Sequence, residues 1–117
     1  MRGVLCAAAA VLIGWTGGAA AEGLPLEGAG TAKCSLFVTA FDDTTSNTNE
    51  LVFFSWAEGY ASGFNEAHMQ VGGAGKDMSG MSIDQQQEFL RDYCSAHPND
   101  DFTSAVTNLY QTMRGMR

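Results

Sequence analysis

T-N-E-L-V-F-F-S-W-A-E-G-Y-A-S-G-F-N-E-A, Thr48 to Ala67, is the stretch whose reading decides the fold. Phe53, Trp56, Ala57, Tyr60 and Phe64 recur at spacings of three and four, which puts them on one side of an α-helix. Asn47 followed by Glu50 resembles a capping box, so the spacing predicts one helix over residues 48–67. Gly59 and Gly63 each cost roughly 1 kcal/mol against alanine in a helix interior, and their presence needs a reason. With Ser55 they form a row of small residues four apart, a face that would let another helix approach closely. The alternative is that the glycines end or kink the helix near Gly63.

Downstream, V-G-G-A-G-K-D-M-S-G-M (Val71–Met81) has four glycines and no hydrophobic period, and is expected to be a mobile loop. Ser82 then caps a third helix with Gln85 at the capping-box position, and Phe89, Leu90, Tyr93 and Cys94 form its apolar side. Pro98 ends it. A fourth helix is expected from Asn99 or Asp100, with Phe102, Ala105, Val106, Leu109, Tyr110 and Met113 on its apolar stripe. Upstream, a first element near Thr31 carries Cys34, Leu36, Phe37, Val38 and Phe41. Eight residues do not separate helix from strand by period, and a short helix is the expectation. The polar run from Asp42 to Asn49 reads as a loop. The expected core is Phe53, Trp56, Tyr60, Phe64, Phe89, Leu90, Phe102, Val106 and Leu109.

Residues 1–21 read as a cleavable signal peptide. Arg2 is followed by an uncharged stretch from Val4 to Trp15, and small residues end at Ala19, Ala20 and Ala21. An uncleaved anchor is the competing reading, against which stand Gly14, Gly17 and Gly18 and the lack of a following basic cluster. Residues 22–30, glycine-rich with one proline, read as a flexible leader, and residues 31–117 as one helical domain. Cleavage would remove Cys6 and leave Cys34 and Cys94 in an oxidising compartment, where an intramolecular disulfide is expected. Two free thiols or an intermolecular bridge are the alternatives. The fold expected is therefore all-α: a small bundle of about four helices with one disulfide.

The chain from Glu22 onward has five basic side chains against thirteen acidic ones. Such a balance repels phosphate backbones and anionic lipid, so nucleic acid is not an expected partner, nor is stable membrane insertion after cleavage. His68 and His97 are the only histidines, and no nucleophile-elbow motif accompanies them. The expectation is a non-enzymatic protein without cofactor. His68, Met69, Met78 and Met81 gather around one loop and raise a Cu(I) reading, but two or three methionines without a repeat are more often packing groups, and no metal site is assigned. What remains is recognition of a protein partner outside the cytoplasm, with Val71, Lys76, Asp77, Met78 and Met81 as the candidate contact loop. A homodimer stays open.

The stretches W-A-E-G-Y-A-S-G-F-N (Trp56–Asn65) and S-I-D-Q-Q-Q-E-F-L-R-D-Y-C-S-A-H-P (Ser82–Pro98), with the amphipathic helix after them, resemble the type VI secretion amidase immunity proteins of the Rap and Tai type. The cysteine layout, one opening the first helix and one closing a later helix just before a proline, is similar to that of HdeA-type acid-stress chaperones. The first resemblance implies tight inhibition of one secreted effector, the second binding of many unfolded clients in acid. A structural envelope accessory protein with no client is the third reading. Trp56 and the Met-Gly loop stand where the immunity family carries cysteines.

Overall fold

The computed structural model describes residues 26–116. The expected signal peptide, residues 1–21, lies outside them. Four α-helices make up the architecture: α1 (Cys34–Asp42), α2 (Thr48–Gln70), α3 (Ile83–Ala96) and α4 (Phe102–Thr112), with 3-10 turns at Gly28–Thr31 and Met78–Gly80. The described residues are all-α, and the first element is the helix rather than the strand. Among the described residues no helix is long and apolar enough to cross a membrane.

Cys34 and Cys94 are disulfide-bonded, and both are fully buried between α1 and α3. The residue before α1 is Lys33, whose side chain cannot accept from the helix's first N–H groups. Carbonyls from the α3–α4 turn do so instead: Cys34 N–H donates to Asp100 O at 2.8 Å and Ser35 N–H to Pro98 O at 3.1 Å. The unpaired donors of the helix start are thus satisfied at the place where the covalent bridge lies. Lys33 pairs with Asp101 at 2.8 Å across the same seam. The Asp101 side chain makes no cap on α4, which starts at Phe102, two or three residues later than the sequence suggests.

Phe37, Leu90, Phe102 and Val106 are fully buried at the centre. Phe37, Phe53 and Phe102 form a triangle of rings with centroids 4.7 to 5.4 Å apart, tilted or edge-to-face, geometries that add to the burial itself. Of the expected core, Trp56, Tyr60, Phe64 and Phe89 are half-buried flanking groups; Phe54, Ala57, Ala61 and Met113 take interior places beside Phe53. The reason is the roll of α2, which turns Phe53, Ala57 and Ala61 inward and leaves the Trp56–Tyr60–Phe64 row at the edge.

Three other expectations are corrected. The described part of the leader, from Leu26, is held in place: Gly28–Thr31 winds into a 3-10 turn against α2, and Trp56 Nε1 donates to Glu27 O at 2.9 Å. Gly30 is buried under the indole, where an added Cβ would lie 2.1 Å from Trp56 carbons. At the start of α2, Asn47 makes no side-chain cap, because its near-helical backbone (φ −90°, ψ 4°) keeps the side chain off the helix end; the Ser46 hydroxyl accepts from Thr48 N–H instead. The row of Ser55, Gly59 and Gly63 faces solvent, and a Cβ added at Gly59 or Gly63 would meet nothing within 4 Å. No helix of the described chain uses that face, and α2 runs unbroken through both glycines. The disulfide does not cross it. At α3 the capping box between Ser82 and Gln85 is present in both directions.

Candidate functional site

Val71–Met81 is a strap pinned at both ends and in its middle. Its entry is a Schellman close of α2. Gly72 takes a left-handed φ of +76°, its N–H donates to Met69 O at 3.1 Å, and Gly73 N–H donates to His68 O at 2.9 Å. The two bonds satisfy carbonyls that the helix end would leave open. Gly72 therefore stops the helix, whose last residue, Gln70, lies three residues beyond the expected boundary at residue 67. A glycine just past the last turn was the signal for it.

The centre of the strap is held by Asn65, one helical turn before Met69 on α2. Its Oδ1 accepts from Lys76 N–H at 2.6 Å and its Nδ2 donates to Lys76 O at 2.9 Å. One side chain amide thereby mimics a strand neighbour. The Tyr110 hydroxyl donates to the same Oδ1 at 2.8 Å, which ties α4 into the clamp. Gly75 is buried beside it, and a Cβ there would lie 2.7 Å from Asn65 Oδ1 and 2.8 Å from Met116 Cε. On the other side the C-terminal segment pairs antiparallel at Lys76 and Gly115. Asp77 N–H donates to Arg114 O at 2.7 Å and Met116 N–H to Gly75 O at 2.9 Å. Asn65 was not singled out in the sequence, since nothing in a lone helical asparagine announces that a distant backbone will reach it.

The exit is capped by Asp77, whose Oδ1 accepts from Ser79 N–H at 3.1 Å and from the Ser79 hydroxyl at 2.7 Å. Those bonds, with Arg114 nearby, hold the Asp77 carboxyl below its usual range. Buried Gln86 then donates to the carbonyls of Met78 and Met81. The loop expected to be mobile is thus hydrogen-bonded along most of its length, and its glycines serve a turn and a close contact.

The candidate contact residues separate accordingly. Val71 is 83% exposed and Met69 beside it 60% exposed, so the strap's entry presents an apolar edge. Lys76 and Asp77 are half-buried, with their backbones used as described. Met78 and Met81 pack against the core, and Met78 Sδ accepts from the Ser62 hydroxyl at 3.8 Å. His68 goes elsewhere: its Nδ1 pairs with Phe64 O at 2.9 Å and its ring stacks on Tyr110. The side chains of the Cu(I) reading therefore have different neighbours, and among the described residues no three His, Cys, Asp or Glu groups form a metal-binding cluster. His97 closes α3 by pairing its Nδ1 with Tyr93 O at 2.9 Å while its ring stacks on Tyr93. The Tyr93 hydroxyl donates to Asp100 at 2.9 Å, and burial together with that carboxylate pushes the phenol up.

Comparison with known proteins finds no family model, no curated protein and no solved structure that matches this chain.

Proposed function

We propose that the protein works outside the cytoplasm as a non-enzymatic binder of one protein partner, in the manner of an immunity-type inhibitor of a secreted effector. The observation that carries this reading is the Asn65 clamp, which holds the strap in one shape while Val71 and Met69 stand in solvent. A preformed edge loses little conformational entropy on docking, which favours one tight and specific complex over many loose ones. A buried disulfide suits an oxidising compartment and supports the placement outside the cytoplasm.

One observation favours the chaperone-like alternative. Asp77 pins the strap through a carboxylate held below its usual range. A depressed carboxyl contributes its hold above its ordinary value and loses it as pH falls below that, so strong acid would release the Ser79 bonds at the strap's exit, beside Met78 and Met81, while the Asn65 and Gln86 bonds do not titrate. Affinity capture from envelope extract at pH 7 and near pH 3 separates the two. A single stoichiometric partner at pH 7, lost on Val71→Asp, supports the inhibitor reading. Many clients captured only in acid would replace it with the chaperone.

A further inference from the structure

One side of α2 is left uncovered by the rest of the described chain. Tyr60 and Phe64 are half-buried there with ring centroids 4.9 Å apart, and together with Leu26, Gly59 and Gly63 they line an open apolar groove. Leu26 is 44% exposed at its edge. Two exposed acidic residues neighbour its lining in the chain. Glu27 follows Leu26, and Glu66 lies one turn beyond Gly63 on the same face of the helix. Neither carboxylate has an ion-pair partner among the described residues, and Glu66 accepts only a 3.3 Å bond from Gln70 of its own helix. The cations among the described residues lie elsewhere: Lys33 and Arg91 pair with aspartates on other elements, Arg114 sits beside Asp77, and Lys76 belongs to the strap.

We propose that this groove receives an amphipathic helix of the protein partner, seating apolar side chains on Tyr60 and Phe64 and reaching Glu27 and Glu66 with lysine or arginine. This rests on the reading that the partner is a protein, and adds a second surface distinct from the strap. A helix is the occupant because the missing side chains at Gly59 and Gly63 let a second helix axis come close. A basic one is favoured by the two unpaired carboxylates and by the chain's formal charge of −7. A second copy of this chain would bring the same acidic rim against itself.

The test is an NMR titration of the whole protein with two synthetic amphipathic helices of equal length, one leucine–lysine and one leucine–glutamate. The leucine–lysine helix is expected to shift the Gly59, Gly63 and Glu66 amides saturably, and the leucine–glutamate helix to leave them in place. Gly63→Leu fills open space, so the fold persists by circular dichroism while peptide affinity falls about tenfold. Glu66→Lys, on the surface, is expected to weaken the same peptide and to flatten its salt dependence. Equal response to both peptides, shifts centred instead on a second apolar cleft, between α1 and α2 and lined by Leu36, Val52 and Phe53, an unaffected Gly63→Leu variant, or self-association through α2 in sedimentation equilibrium would each overturn the proposal. The strap reading fails separately: if Val71→Asp leaves capture of the partner intact while the peptide still binds, the strap is wrong and the groove stands.

Discussion

Asn65 and Gly30 show how much a single position decides in this chain. Asn65 satisfies both backbone groups of Lys76 and receives the Tyr110 hydroxyl. At about 1 kcal/mol net for each bond, Asn65→Ala is expected to cost about 2–3 kcal/mol, read as a lower denaturant midpoint. At Gly30, any side chain must displace the Trp56 ring. Gly30→Ala should cost about 1–3 kcal/mol by overpacking, in urea unfolding followed by tryptophan fluorescence. Titration at the residue scale has two signs. Asp77 is held low, so its contribution is present at neutral pH and fades as pH drops below the ordinary aspartate value. Burial raises Glu58, so its charge opposes folding at neutral pH and protonation relieves it. Glu58→Gln is therefore expected to raise the melting temperature at pH 7 and to change it little in acid, a pair of scans that checks the sign.

At the scale of elements, α1 is joined to α3 by the Cys34–Cys94 bond and to the α3–α4 turn by the carbonyls that Asp100 and Pro98 lend to its start. Closing a loop of 60 residues is worth about 4 kcal/mol in the chain-entropy account. The Cys34→Ser/Cys94→Ser double variant should lose about that amount in denaturant unfolding. Helix α2 offers the opposite experiment. Gly59 and Gly63 have open space where a side chain would be, so Gly59→Ala and Gly63→Ala should each stabilise the protein by about 1 kcal/mol in the same assay. Stabilisation would show that the fold itself does not require these glycines, in keeping with a docking role for the groove.

For the whole molecule, the helices and the disulfide were legible because their signals are few and distinct: a three-four period at Phe53 to Phe64, a capping box at Ser82 and Gln85, and the two cysteines, Cys34 and Cys94, of the expected helical domain. Helix roll was not legible, and it moved Trp56, Tyr60 and Phe64 from the expected core to its edge. The glycine-rich segments misled for one reason. Glycine marks flexibility when nothing approaches the backbone, and close packing when something does. Trp56 over Gly30 and Asn65 against Gly75 are contacts between parts of the chain that sequence spacing does not link. Of the candidate contact residues, Val71 is free to meet a partner, while Met78 and Met81 are tied to the core. The strap is therefore already in shape before any partner arrives. Amide hydrogen exchange at neutral pH tests this most directly. The Lys76, Asp77 and Met116 amides are predicted to exchange far more slowly than that of Ala74, and Asn65→Ala to abolish protection at Lys76 while Leu90 and Val106 stay protected. Exchange of the Lys76 and Asp77 amides at the rate of an unstructured peptide would contradict it.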